Sequence, residues 1–124
     1  VEDYLHNVQG GVMVAGEAFL RDRPALEAFL RAYLRALRDL HREGFASPEH
    51  AAIIEKYTRV PVAVLQKIRP QYHDPEMRVN VASLMDQQRF YMERGYLRFT
   101  EPLDLTRWID DGPRLAALQA LAAR

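Results

Sequence analysis

Histidines, carboxylates and arginines are the residue types in this 124-residue chain whose chemistry could build a site. The four histidines are His6, His41, His50 and His73. None forms a His-Glu-x-x-His pattern, and no two are spaced to place two ligands on one helix face. Cysteine is absent from the sequence, so thiolate chemistry and disulfides are excluded. The pattern therefore predicts surface or boundary histidines and no metal site.

Asp110 and Asp111 are adjacent in the sequence, and they are the carboxylates that most resemble a general acid–base pair. Consecutive residues on a helix point about 100° apart, so they do not converge on one substrate atom. Gly112 and Pro113 follow directly, an order typical of a helix start, and we interpret the pair as a cap. Nucleophile elbows, phosphate-binding loops and dinucleotide fingerprints are also missing from the sequence. We predict that the chain is not an enzyme and needs no cofactor.

One side of the first long predicted helix carries four arginines: Arg31, Arg35, Arg38 and Arg42. This face is the best sequence candidate for an anion-binding surface. Glu27 lies four residues from Arg31, and Asp39 lies four from Arg35, so the simpler interpretation is a solvated face with local ion pairs. Lys+Arg and Asp+Glu are each 17, and this zero formal charge argues against a nucleic-acid partner.

Capping residues, prolines and glycines divide most of the chain into amphipathic helices. Asp22 and Pro24 suit the start of the first helix, Ser47 and Pro48 the start of the second, and Gly95 a left-handed stop. The predicted helices run over residues 22–44, 47–58, 61–69, 74–94 and 103–109, and from Pro113 onward.

An apolar run, Val-Met-Val-Ala at residues 12–15, comes before these helices and is bounded by glycines. Without alternation it predicts a strand buried on both faces. A lone strand leaves its backbone N–H and C=O groups without partners, so we expect it to belong to a larger sheet. The chain thus divides into a strand segment at residues 1–20 and a helical region at 21–124. No apolar run reaches the ~18 residues of a membrane span.

The sequence resembles a family of transport proteins in several ordered segments. Residues 11–24 (GVMVAGEAFLRDRP) and the following helix at 28–33 are similar to the return strand and next helix of ABC-transporter substrate-binding proteins of the alkanesulfonate, taurine and nitrate type. That family includes proteins for the thiamine pyrimidine precursor. Further similar segments follow in the same order, at 47–54 (SPEHAAII), 60–65 (VPVAVL), 81–97 and 104–110 (DLTRWID).

The resemblance implies a mainly α chain, the helical C-terminal portion of a type II periplasmic-binding-protein α/β lobe, with one short N-terminal strand close to the hinge. The complete receptor would bind a small organic or anionic solute between two lobes and deliver it to a membrane permease. It would be periplasmic, or extracytoplasmic and membrane-associated. Only Gly16 and Glu17, just after the strand, fall where a ligand contact could lie. We do not expect this portion to bind ligand alone.

Two alternatives remain open. One is a stand-alone α-helical interaction module that docks through the arginine face. The other is a fragment of a thiamine-pyrimidine-precursor synthase that shares the scaffold and has its catalytic His and Cys upstream. If the chain is the receptor portion, its helices would leave apolar faces uncovered in isolation, so we expect self-association, by strand addition or exchange of elements.

Overall fold

A computed structural model describes residues 7–68 and 71–123, and within them the chain is mainly helical. The six α-helices of this part are α1 (Glu17–Arg21), α2 (Arg23–Glu43), α3 (Pro48–Thr58), α4 (Val62–Leu65), α5 (Val81–Glu93) and α6 (Gly112–Ala122). Two 3₁₀ helices, Gly44–Ala46 and Leu105–Trp108, follow α2 and precede α6. None of these described helices has both the length and the apolar character needed to cross a membrane. The prediction of a mainly α fold is confirmed.

Helix α2 is the longest element, and its ends follow the sequence signals. The Asp22 carboxylate accepts a hydrogen bond from the Ala25 N–H at 3.1 Å, and Pro24 occupies the first turn. Gly44 takes the positive φ of +61° that ends the helix, a conformation that side chains with a Cβ rarely adopt. Both boundaries are therefore set by local backbone chemistry.

The core lies between α2 and α6, which pack along each other. Leu26, Leu30 and Leu34 of α2 bury their side chains against Ala117 of α6. Phe19, Met77, Leu118 and Leu121 extend this cluster as partly buried neighbours. Because residues at i, i+4 and i+8 share one helix face, the leucine spacing alone fixes which side of α2 faces inward.

Other predicted boundaries are also confirmed. Ser47 caps α3 by accepting from the His50 N–H at 3.5 Å, and Asp104 caps the Leu105–Trp108 helix through the Thr106 N–H at 3.1 Å. Gly95 follows α5 with a φ of +71°. The predicted helix at 61–69 is shorter in the structure, where α4 ends at Leu65. Its predicted end, Arg69, lies outside the described residues.

The predicted start of α5 at Asp74 is wrong. The Asp74 carboxylate instead accepts from the N–H groups of Glu76 at 3.1 Å and Arg78 at 3.0 Å, which closes a turn. Met77 within this turn has a φ of +57°, which interrupts helical geometry. The helix begins seven residues later at Val81, where the Asn80 side chain accepts from the Ser83 N–H at 3.1 Å.

The predicted N-terminal strand is not present either. Residues 12–15 have no regular secondary structure, and the part of the chain in view contains no strand with which they could pair. Val14 is 84% exposed rather than buried on both faces. The reason is that a strand is stable only when a neighbour completes its hydrogen-bond ladder, and these helices offer none.

The chain exposes far more surface than a compact monomer of its mass. Its accessible surface is 9803 Å², whereas folded monomers of 14.4 kDa expose roughly 6,800 Å². Helix α5 illustrates the cause, because among its described residues only Gln88 is buried, while Phe90 and Tyr91 are exposed. Much apolar surface is therefore left without cover.

Candidate functional site

The N-terminal segment, defined here as residues 7–16, is the most unusual surface of the molecule. It contains no charged residue, no lysine and no proline. Val12, Met13 and Val14 are all exposed. Adjacent apolar side chains that stand in solvent are typical of a surface that another chain or domain covers.

One end of the N-terminal segment is fastened to the start of α5 through Gln9. Its N–H donates to the Ser83 hydroxyl at 2.9 Å, and its C=O accepts from the Gln87 side chain at 3.0 Å. Its carboxamide oxygen accepts from the Asn80 N–H at 2.8 Å. We call these four residues the Gln9 clasp. It uses both main-chain groups of Gln9, so it fixes the backbone at that residue.

The other end of the N-terminal segment leads into α1. The Gly16 C=O accepts from the Leu20 N–H at 3.0 Å, and Phe19 packs against the core cluster and edge-on to Phe29, with 5.8 Å between ring centroids. Within the described residues, the main-chain N–H and C=O groups of residues 12–15 take part in no hydrogen bond. The segment is thus anchored at both ends, while residues 12–15 between them have no main-chain hydrogen-bond partner among the described residues.

Gly16 and Glu17, the sequence-predicted ligand contacts, lie on the surface at the start of α1. The Glu17 carboxylate forms an ion pair with Arg21 one turn along the helix. Gly16 has an ordinary extended backbone, and a Cβ built there would meet nothing within 4 Å. Neither residue lines the cleft at Leu103 and Trp108 described below, so their role as ligand contacts stays a prediction.

A shallow cleft of about 350 Å³ lies at residues 103–108, near the C-terminal end of the sequence. Leu103, Asp104, Arg107 and Trp108 line it, and Trp108 is 81% exposed. The Asp104 carboxylate is already engaged, since it accepts from the Thr106 N–H and from its hydroxyl at 2.6 Å. An indole and a guanidinium therefore line the cleft, and the Asp104 carboxylate beside them is already hydrogen-bonded.

An aromatic patch continues at the end of α5. The Phe90 and Tyr91 ring centroids lie 5.5 Å apart, and Tyr91 lies 6.1 Å from Tyr96. The Arg94 guanidinium stacks over Phe90 at 4.8 Å. The sequence places Phe90 opposite the apolar face of α5 and predicts a second partner surface there. In the structure Phe90 is exposed, with the Arg94 guanidinium over its ring.

The arginine face of α2 is exposed at Arg35, Arg38 and Arg42. The predicted pairing of Asp39 with Arg35 is wrong, because Asp39 binds Arg42 instead, with 3.0 Å between Oδ1 and Nη2. Glu43 also binds Arg42, at 2.8 Å, and this hydrogen bond lowers the pKa of the Glu43 carboxyl. The predicted pair of Glu27 with Arg31 is likewise not among the ion pairs of the described residues.

The two adjacent carboxylates before α6 diverge. Asp110 accepts from the Gly112 N–H at 3.0 Å and forms an ion pair with Arg23 at 3.0 Å. Asp111 binds Arg114 at 2.8 Å, and this hydrogen bond lowers the pKa of the Asp111 carboxyl. Each acid thus has its own arginine partner at the start of α6, and within the described residues the Asp111 side chain makes no capping hydrogen bond.

A second anchored acid lies in the turn before α5. Hydrogen bonding from the Arg78 side chain, at 2.7 Å, holds the pKa of Asp74 at about 2 despite its partial burial. Arg114 reaches the same turn and donates to the Glu76 C=O at 3.1 Å. The Asp74 turn is therefore tied to the start of α6 by charge-assisted hydrogen bonds.

No metal centre is formed by the described part of the chain, where no group of three or more His, Asp or Glu side chains converges. His50 Nδ1 is buried, has no hydrogen-bond partner among the residues that the structure describes, and lies 3.9 Å from Glu43 Oε2. His41 packs edge-on to Tyr72 at 6.0 Å. His6 lies outside the described residues. His41 and His50 thus lie in separate surroundings.

No protein-family model, curated protein or solved structure matches this chain. The resemblance to substrate-binding proteins therefore stays a prediction. Among the surfaces of the described residues, the N-terminal segment is the most distinctive.

Sequence reasoning missed Gln9 and Trp108 as features of these surfaces. Gln9 stands beside two glycines, and its partners on α5 lie more than seventy residues away in the chain, so no local pattern marks it. Trp108 is the single tryptophan of the sequence. That rarity is a weak signal, because a lone tryptophan is more often part of a core than of a surface.

Proposed function

We propose that this chain is the helical C-terminal region of a solute-binding protein that serves an ABC importer. Its solute would be a small organic or anionic nutrient of the sulfonate, taurine or nitrate kind, bound reversibly and without chemistry. The observation that carries the proposal is the N-terminal segment, whose apolar residues 12–14 are exposed, have no hydrogen-bonded main-chain partner among the described residues, and lead into α1 and α2.

This segment has the properties of a sheet strand that lacks its neighbours. Val12 and Val14 favour strand geometry, and both are exposed in the structure. Strands of a parallel α/β sheet are covered on both faces and hydrogen-bonded on both edges. An α/β lobe contributed by another part of the same protein would supply that cover, as the resemblance implies.

The surplus surface supports the same proposal. An excess of roughly 3,000 Å² over a compact monomer of this mass is of the size that contacts between domains or chains bury. The aromatic patch on α5 and the exposed Trp108 contribute apolar area to this excess. A lobe packed on these helices would remove such area from water.

The charged groups favour binding over catalysis. The described carboxylates whose pKa values are lowered, those of Glu43, Asp74 and Asp111, are each held by an arginine. A general base needs a pKa near the working pH, and burial or like charges would have to raise it. These three acids are shifted in the opposite direction.

A thermal-shift experiment on the product of the complete reading frame that contains this sequence tests the proposal. We expect one compound among taurine, an alkanesulfonate, nitrate and the thiamine pyrimidine precursor to raise the Tm in a saturable way, because it binds the folded state. The 124-residue chain alone is the matched control and should show no shift.

Three results would contradict the proposal. Catalytic turnover by the complete product would favour the synthase alternative. Absence of any α/β lobe from the complete product would remove the two-lobed receptor. Capture of a protein partner by the 124-residue chain, lost when Arg31, Arg35 and Arg38 are changed to Glu, would favour the interaction module.

A further inference from the structure

We propose that residues 12–15 form a docking edge for a β-strand, and that in the 124-residue chain the same residues of a second copy occupy it in antiparallel pairing. The docking edge means the main-chain N–H and C=O groups of residues 12–15, which take part in no hydrogen bond within residues 7–68 and 71–123. The inference concerns the chain by itself and does not depend on the proposed transport function.

The docking edge lacks the protection that natural edge strands carry. Exposed edges are normally blunted by lysines, prolines, bulges or inward-pointing charges, which prevent pairing with other chains. The whole N-terminal segment has no charged residue and no proline, and three of its exposed side chains are Val12, Met13 and Val14. Nothing in its sequence opposes strand addition.

The docking edge is also held ready for pairing. The Gln9 clasp fixes the backbone on one side, and Gly16 at the start of α1 fixes it on the other. The Gln9 side chain further donates to the Gly11 C=O at 2.6 Å, which restrains the residues that lead into the edge. A segment restrained in this way loses less conformational freedom on pairing than a free chain would.

A second copy is the occupant that the molecule itself favours. A two-fold axis that places Val14 opposite Val14 of the second copy would pair the edge with itself, which is the isologous geometry of most dimers. The formal net charge is zero and the edge is uncharged, so no electrostatic repulsion opposes the approach of two copies. The surplus of roughly 3,000 Å² of surface exceeds the roughly 800 Å² per partner that a standard interface buries.

Sedimentation or light scattering of the 124-residue chain over a range of concentrations tests the proposal. We expect the mass to rise from 14.4 kDa towards twice that value as concentration increases. Val14→Pro removes the N–H at the centre of the edge, and Val14→Lys adds the missing charge. Each should raise the concentration needed for dimerisation at least tenfold. Val14→Thr keeps the strand preference and should change it less than threefold.

The controls separate pairing at this edge from other association. Val64→Lys places the same charge at another exposed valine, on α4, and should leave dimerisation unchanged. Gln9→Ala opens the clasp and should weaken dimerisation several-fold. Hydrogen exchange at the amides of residues 12–15 should slow as the concentration rises.

Two outcomes overturn the inference. One is a mass of 14.4 kDa at all concentrations, up to the millimolar range. The other is dimerisation that Val14→Pro and Val14→Lys leave unchanged. Val14 is exposed, and its main chain takes part in no hydrogen bond within the described residues, so circular dichroism should show that both variants keep the helical fold. Neither outcome bears on solute binding by the complete reading-frame product.

Discussion

The Gln88 side chain holds the main chain of Leu103 through two hydrogen bonds, as a neighbouring strand would. Its carboxamide nitrogen donates to the Leu103 C=O and its oxygen accepts from the Leu103 N–H, each at 3.1 Å. Gln88 is only 6% exposed and is the buried polar residue of the described core. The contact fastens the segment after α5 to the helix and sets the position of the Trp108 cleft.

We expect Gln88→Ala to reduce the free energy of unfolding by about 1–3 kcal/mol, because it leaves both main-chain groups of Leu103 without their partners. Urea denaturation measures the loss, and hydrogen exchange at Leu103 should become faster. Gln119→Ala, at an exposed position of α6, is the control and should stay within about 0.5 kcal/mol of the parent chain. Equal stabilities of the two variants would contradict the assignment.

The Asp74 turn should make the free energy of unfolding depend on pH. The Arg78 hydrogen bond lowers the folded-state pKa of Asp74 from 3.8 to about 2, so its stabilisation is present above pH 3.8 and is lost as the pH falls through 2. We expect Asp74→Asn to cost about 1 kcal/mol at pH 7, since Arg78 is largely exposed. Urea denaturation as a function of pH should show the parent and variant curves converging near pH 2. Parallel curves would contradict the prediction.

Helix α3 ends at a residue that a glycine would suit better. Arg59 has a φ of +64° and ψ of 11°, the left-handed conformation that costs energy for residues with a Cβ. We expect Arg59→Gly to raise the free energy of unfolding by about 0.5–1 kcal/mol, measured by urea denaturation. The matched control is Arg38→Gly in the middle of α2, which should lower it by about 1 kcal/mol. A loss of stability at both positions would argue against the left-handed cap.

The packing of α2 against α6 should depend on the side-chain volume at Leu34. Leu34 is the one large side chain of the described core that is fully buried. We expect Leu34→Ala to cost about 2–5 kcal/mol, because it removes apolar contacts and leaves a cavity. Leu115→Ala, on an exposed position of α6, should cost less than about 1 kcal/mol. Thermal unfolding followed by circular dichroism compares the two. Similar losses would mean that the core lies elsewhere.

Signals that act within a few residues predicted the helices well. Asp22, Ser47 and Asp104 each accept from a backbone N–H two or three residues ahead, and Gly95 takes the left-handed conformation directly after α5. Such contacts depend on local geometry that the residue type itself specifies. Asp74 is the instructive exception, because the same capping chemistry closes a turn when Met77 adopts a positive φ. Asp74 can therefore accept hydrogen bonds either at a helix start or in a turn, and the local sequence does not decide which of the two forms.

The contacts that shape the surfaces join residues that are far apart in the chain, and the sequence did not predict them. Gln9 meets Asn80 across 71 positions, and Arg23 meets Asp110 across 87. The prediction of a strand at residues 12–15 recognised a segment that needs partners, while the structure revealed that the described helices supply none. Gly16 and Glu17 stay predicted ligand contacts, and neither of them lines the cleft at Leu103 and Trp108.

The sequence by itself determined where most helices begin and end and which leucines of α2 face inward, since capping and helical periodicity act over a few residues. Only the tertiary structure decided that Gln9 is clasped by α5, that Gln88 holds Leu103, and that Val14 stands exposed. Those outcomes depend on which distant groups come within hydrogen-bonding distance, and no local pattern of residue types encodes that distance.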